Sequence, residues 1–416
     1  MAHQAGARRR VSARAGSRAT RAAARALAAL GLAATPASIA SGDGAGDGGL
    51  PVFANEVEGS LVRAIMGLRE NGLRQALGEI DDALARSPNF RLGHLIKGDL
   101  LMARAGNPVA FGSTRVAASA APLQDEARVR IKRYFEAPPP DHLPAPLLQL
   151  APNQPHAIVV DTSRSRLYVF ANDGGKPRYV TDFYISLGKN GIEKQREGDQ
   201  KTPIGVYTII SSKDKLPDLY GPGAFPISYP NEWDRRLGRN GHGIWLHGMP
   251  SETYSRPPFA TDGCVALAND DLERLAKYVH IRRTPVVIGN DVAWRSPESW
   301  GADREAFLAA FEGWKADWES LDTGRYLAHY SGRFRSESGD LAAWSAHKRK
   351  VNAAKSWVKV GVSQLSLFAY PGESAMMVVT FEQDYRSNNL SNRTLKRQYW
   401  VREGRAWRIV HESVVS

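Results

Sequence analysis

The spacing of apolar residues changes period three times along the 416-residue chain, and no single sheet or bundle accommodates that pattern. From about residue 55 to 104 the period is helical. Val57, Leu61, Ile65 and Leu68 fall on one face, as do Leu73, Leu77, Ile80 and Leu84. Ser87-Pro88-Asn89 interrupts, and Leu92, Leu95, Ile96 and Leu100 resume. Between Ala157 and Ile288 the pattern turns to short β-rich runs: Ala157–Asp161 and Arg166–Phe170 around a Thr162–Ser165 turn, then 179–187, 205–211, 243–247, 264–267 and 285–288. One helix interrupts them, with Asn269 as its expected cap and Leu272, Leu275, Ala276 and Val279 as its apolar stripe. After Trp300 the helical period returns through Phe307, Phe311, Trp314 and Trp318. Four strands then follow over 356–368, 375–386, 394–403 and 406–415. The fold class this implies is multidomain α+β, with a helical module, a mainly β domain and a C-terminal α+β unit.

The boundaries follow from composition. Residues 1–40 carry seven arginines, no acidic residue and an apolar small-residue run from Ala22 to Ala34. They read as an export segment cleaved after Ala40, with a twin-arginine signal or an over-long start as alternatives. Gly- and Asp-rich residues 41–54 read as a flexible linker, 55–135 as the helical module, and 136–155, with its seven prolines, as a semi-rigid spacer. The β domain is expected over 156–292 and the last unit over 300–416. The stretch from Ala76 to Phe90 resembles one helix of a tetratricopeptide hairpin, although no repeat array is visible. No later segment approaches 18 uninterrupted apolar residues, so no membrane span is expected once the leader is removed.

Charge and cysteine content narrow the function. The formal charge is +12, but the first 40 residues supply seven of it, leaving +5 for the other 376. No nucleic-acid recognition motif accompanies that surplus, so nucleic acid is not an expected partner; an anionic wall polymer fits better. A single cysteine, Cys264, allows no internal disulfide and is either packing or a thiol with a task.

Two segments favour the second reading. Gly243-Ile-Trp-Leu-His247-Gly248 is an apolar strand ending in His-Gly, and Thr261-Asp262-Gly263-Cys264 follows, with Cys264 17 residues after His247. That is enough chain to leave one strand end, cross a loop and enter the next strand. An imidazole brought there draws the thiol toward thiolate. Gly263 suits a tight backbone whose N–H groups face a developing oxyanion.

Several ordered motifs carry a resemblance: Asp161 with Leu167–Phe170, Ser186–Gly191, Glu197–Asp199 with Thr202-Pro203 and Gly205–Tyr207, His247-Gly248, and Thr261–Cys264. Together they resemble the L,D-transpeptidase catalytic domain of the YkuD type, most closely its YafK-like branch, over about 155–290. The resemblance implies that Cys264 attacks the amide after meso-diaminopimelate with His247 as base, and that Gly263 helps build the oxyanion site. Gly248, Thr261 and Asp262 become candidate substrate-binding residues, and Glu197, Asp199 and Lys201 are candidates against a plain solvated loop. The commoner family pattern is Ser-His-Gly-Cys with an arginine two residues on. Here Thr261 replaces the serine, Asp262 the histidine and Ala266 the arginine that would grip a carboxylate bidentately. The YafK-like branch is linked to hydrolysis of the diaminopimelate–lipoprotein bond, so formation and cleavage of the link both stay open.

The C-terminal unit resembles the nuclear-transport-factor-two-like (SnoaL-like) cone, with its aromatic residues expected to pack a core. The expected function is a cell-envelope enzyme acting on peptidoglycan stem peptides, with an envelope lipoprotein as a further partner. No metal or cofactor is expected, because the histidines lack zinc-ligand spacing. The alternative is a non-catalytic envelope scaffold around a degenerate catalytic domain.

Overall fold

The computed structural model describes residues 55–70, 72–106, 117–336, 339–373 and 375–415. The expected export segment and linker lie outside them. Four helices come first: α1 (Glu56–Glu70), α2 (Gly72–Arg86), α3 (Arg91–Arg104) and α4 (Ala117–Phe135). Their predicted stripes form one core of Leu61, Leu77, Ile80, Phe90, Leu92, Ile96 and Ile131. That core also takes in Met249, Tyr254 and Ala268 from far along the chain, so the module closes only against the next domain. The four helices bear out a helical module, without a repeat array among the described residues.

A buried charge cluster stitches the same seam. Glu58 of α1 receives two bonds from Arg166, at 2.7 and 2.9 Å, and one from Arg130 of α4 at 3.3 Å. Arg130 also pairs with Glu126 at 3.0 Å, and its guanidinium lies 3.9 Å from the Tyr184 ring centroid. Arg133 holds Asp182 through two bonds of 2.8 and 2.7 Å. Asn55 caps α1 through its side-chain oxygen while its amide donates to Asp271.

The β-rich region follows with β1 (Leu143–Pro144), β2 (Leu147–Gln149), β3 (His156–Asp161), β4 (Arg166–Asp173), β5 (Lys176–Tyr184), β6 (Leu187–Gly188), β7 (Gly205–Thr208) and β8 (Ala224–Pro226). Then come α5 (Glu232–Arg236), β9 (Trp245–His247), β10 (Phe259–Thr261), β11 (Val265–Ala266), α6 (Asn269–Ala276), β12 (Pro285–Gly289) and β13 (Trp294–Arg295). A five-stranded sheet in the order β5-β4-β3-β12-β7 forms its centre, and β11-β9-β8 forms a smaller sheet. Ala157 to Val160 is continuously apolar because both faces of the large sheet are covered. Ile158 and Val160 point into a core with Leu246, Val265, Leu272 and Leu275. Ala157 and Val159 point the other way, onto Phe368, Tyr370, Val378 and Tyr399 of the C-terminal unit.

That last unit comprises α7 (Pro297–Glu319), α8 (Thr323–Leu327), β14 (Tyr330–Ser336), β15 (Gly339–Asp340), α9 (Leu341–Ala353), β16 (Val358–Ala369), β17 (Met376–Ser387), β18 (Ser391–Glu403) and β19 (Ala406–Val414). The stripe on α7 packs Phe307, Phe311, Trp314 and Trp318 against Phe381, Tyr385 and Trp400, as the aromatic spacing predicts. Tyr330 opens β14.

Two further expectations are corrected. The proline-rich stretch 136–155 is not a free spacer: Leu147, Leu148, Leu150 and Ala151 are buried, and β2 pairs with β16 as the edge of the C-terminal sheet. Prolines occupy the bends, while the leucines between them seek the core. Asn269 does not cap α6, because Ala268 occupies that position. The Asn269 side chain reaches back to accept the Met249 amide at 2.8 Å.

Candidate active site

Strands β9 and β11 run parallel and paired, with Val265 opposite Leu246 and Ala266 opposite His247. Leu246 and Val265 both face the core. Alternation therefore puts Trp245, His247, Cys264 and Ala266 together on the other face. Cys264 and His247 sit diagonally across the pair, a spacing of roughly 7–8 Å between backbones that long side chains bridge.

Each group is held by a specific contact. The Cys264 sulfur accepts the Trp245 amide at 3.4 Å, and its S–H donates to the Gly243 carbonyl at 3.4 Å. The buried His247 ring meets the Gly248 carbonyl through Nδ1 at 2.6 Å. A carbonyl only accepts, so Nδ1 carries the proton and Nε2 keeps the lone pair a base needs. The Tyr220 ring stands edge-on to the imidazole with centroids 5.2 Å apart.

Burial lowers the His247 pKa to about 4; the Gly248 bond opposes the shift and the Arg256 charge reinforces it. Burial likewise pushes the Cys264 thiol up, while the Trp245 amide pulls it down. The resting pair is thus neutral thiol and neutral imidazole, rather than the thiolate that the sequence suggested.

The turn before Cys264 explains why its residues are what they are. Thr261, expected to meet substrate, is buried. Its hydroxyl donates to the Cys264 carbonyl at 2.7 Å and accepts the Gly263 amide at 3.1 Å. It staples the turn instead. Gly263 has φ +120°, and a Cβ there would sit 2.8 Å from the Lys201 carbonyl, so only glycine fits. Its N–H is taken by Thr261 and is not available to an oxyanion. Thr202 completes the support, accepting the Gly188 amide at 2.9 Å and donating to the Gly263 carbonyl at 3.1 Å.

Gly248 lies wedged where a Cβ would meet the Asn269 side chain at 2.5 Å and the Tyr220 carbonyl at 3.0 Å, so it orients His247. Asp262 is exposed and pairs with Lys189 at 2.9 Å. Asp199 binds Lys194 and the amides of Gln195, Arg196 and Lys201, organising the loop around itself. Glu197 is exposed beside His242. Ala266 is fully buried and bonded through both backbone groups to Ser186.

Arg256, Tyr220 and Trp245 are near the pair but were missed as site residues. Nothing in the sequence marks a lone Ser-Arg-Pro-Pro loop as passing the thiol.

Residues 155–288 match the YkuD L,D-transpeptidase catalytic domain, and residues 306–413 match the Cds6 C-terminal NTF2-like domain. YafK of Escherichia coli, named for L,D-transpeptidase activity, is 31% identical over 126 residues, which is 30% of this chain and 47% of that protein. The chain thus spans about half the length of the curated relatives it matches. Bd1075 of Bdellovibrio bacteriovorus superposes with a TM-score of 0.59 at 28% identity, over 66% of this chain and 98% of that one. The helical cell shape determining protein Pgp2 of Campylobacter jejuni gives 0.56 at 27% identity, over 64% and 95%. These shares exceed either matched domain alone.

Among the described residues no helix is long and apolar enough to cross a membrane.

Proposed function

We propose that this chain is a cell-envelope cysteine enzyme that cleaves amide bonds made by meso-diaminopimelate in peptidoglycan stem peptides. The carrying observation is the shared face of β9 and β11, which presents Cys264 beside a His247 whose Nδ1 is tied to Gly248. The Cys264 thiol gives its proton to His247 Nε2 as sulfur bonds to the amide carbonyl carbon. The carbonyl π electrons move onto oxygen, where the Cys264 backbone N–H, with no acceptor among the described residues, is the nearest candidate donor. His247 then protonates the departing amine, the C–N bond breaks, and a thioester remains. Water, deprotonated by His247, releases the acid and restores the thiol.

Water as the acceptor makes the reaction a hydrolysis; an amine resolving the same thioester would make a cross-link, and the two outcomes give different products. The amine lost in the first step is a D-amino acid, a neighbouring stem or an envelope lipoprotein, and the likeness to Pgp2 supports a role in cell shape. Peptidoglycan lies outside the inner membrane, so the site of action is the envelope.

Incubating the protein with muropeptides and with lipoprotein-linked peptidoglycan, and weighing the products, tests the reading. Cys264→Ser should retain the fold and lose both product and acyl adduct. Wild-type turnover by that variant would overturn the assignment of the nucleophile. Faster formation of cross-linked dimers than of hydrolysed product would overturn hydrolysis.

A further inference from the structure

We infer that Arg256 takes the place of the missing arginine at position 266 and anchors a substrate carboxylate beside Cys264. This rests on the amidase reading above and adds a specificity-determining residue to it. Arg256 lies in the loop between His247 and Cys264, half-buried, and among the described residues its only side-chain hydrogen bond runs from Nη2 to the Ala260 carbonyl at 2.8 Å. It has no carboxylate ion pair among the described residues. Its charge is felt by Cys264 and by His247, and burial holds its own pKa down despite the fields of Asp262 and Cys264. A guanidinium withdrawn from water without a counter-ion is costly, and a ligand carboxylate is the group that would relieve it.

The loop is fixed as a binding element would be. Tyr184 donates its hydroxyl to the Arg256 carbonyl at 2.7 Å, and Ser186 does the same for the Pro257 carbonyl at 2.7 Å. Ser255 accepts the Leu92 amide of α3 at 3.0 Å, and Tyr254 stacks edge-on to Phe90. The helical module therefore grips this loop from outside, so Arg256 is ordered before substrate arrives. Two carboxylates of a stem peptide flank the scissile amide: that of the departing D-residue and that on the diaminopimelate side chain.

The chain has one cysteine, so its alkylation reads the neighbourhood of Cys264 alone. The test compares rates for iodoacetate, an anion, and iodoacetamide, its neutral analogue, in the full chain. Taking the ratio removes any change in thiol ionisation. The iodoacetate-to-iodoacetamide ratio should fall about tenfold in Arg256→Gln, in line with one lost charge-assisted hydrogen bond. Arg256→Lys should recover it only in part, having no fork. An unchanged ratio in Arg256→Gln, or full recovery in Arg256→Lys, overturns the inference.

Stem peptides amidated at one carboxylate or the other give the second arm. Wild type should lose about ten- to a hundredfold in kcat/KM for one of the two amides. Arg256→Gln should not discriminate that pair. Equal cleavage of all three peptides by wild type overturns Arg256 as anchor while leaving the amidase reading intact. No cleavage of any peptide, with the alkylation ratio as expected, sinks the amidase reading and leaves Arg256 as an anion anchor.

Discussion

The seam between the helical module and the catalytic domain makes Glu58→Gln the most informative single substitution. Glu58 is 4% exposed, and it bonds Arg130 and Arg166, each 1% exposed. A neutral amide there fills the same space but leaves two buried guanidinium groups short of charge. Arg130 would fall back on Glu126, whose own pKa burial raises to about 7, so it is only partly ionised at neutral pH. Arg166 would fall back on Asp182 at 3.6 Å, already committed to Arg133. Removing one partner of a buried ion pair costs about 3–5 kcal/mol. If helices and catalytic domain unfold together, that corresponds to a melting shift of roughly 6–15 °C. Denaturant titration followed by tryptophan fluorescence, with calorimetry alongside, measures it. The same variant should speed proteolysis within 249–260, since α4 would no longer be drawn onto that loop. A loss under about 1 kcal/mol, with the loop as resistant as in wild type, would refute the view that this cluster joins the two units.

Four further outcomes follow from the same geometry. His247→Ala should lower turnover by about 10²–10⁴ with little effect on melting, and an unchanged rate would remove His247 as the base. The acid limb of kcat/KM should lie near pH 4, the His247 value, rather than near 6.5. Because folded His247 stays neutral while the unfolded chain takes up a proton near 6.5, its stability contribution is present above 6.5 and fades as pH falls toward 4. Alkylation of Cys264 by iodoacetamide should climb only above about pH 9, and a plateau at neutral pH would show a preformed thiolate. Residues 156–292 expressed alone should give no cooperative transition, since Ala157, Val159 and Phe170 lose their cover from the C-terminal sheet and Tyr254 its cover from α3; a sharp melt would refute this.

What the sequence revealed and what it concealed divide along a physical line. Strand and helix periods depend on neighbours a few residues away, so β3, β4, α7 and the four long C-terminal strands could be read directly. The Cys264–His247 pair was legible for a related reason, since 17 residues limit where two strand ends can go. Long-range pairing left no such trace. Leu147 joins β16 more than 200 residues later, and the apolar spacing of so short a strand is drowned by the prolines around it. Thr261 was read as a substrate contact and Gly263 as part of an oxyanion site, and in the structure the two bond to one another. Their hydrogen bonds to each other depend on a backbone with φ +120°, which residue type suggests but does not specify. Arg256 was invisible because its meaning comes from the path of a loop held by helices encoded over 100 residues earlier.

The neutral resting pair and the unpaired arginine bear on one another. An isolated thiol kept protonated by burial reacts sluggishly with stray electrophiles, which protects the chain's sole cysteine. The same burial makes His247 a weak base, and the Arg256 charge weakens it further. A substrate carboxylate seated on Arg256 would cancel that charge, raise the proton affinity of His247 and exclude water from the thiol in one event. The base would then strengthen only once the correct substrate is in place. A neutral amide substrate lacks the means to do this, so discrimination would show in kcat as well as KM. Measuring the His247 titration by NMR with and without a bound carboxylate decides the point: an upward shift on binding, lost in Arg256→Gln, is the expected result. A titration indifferent to the ligand would leave Arg256 an anchor and nothing more.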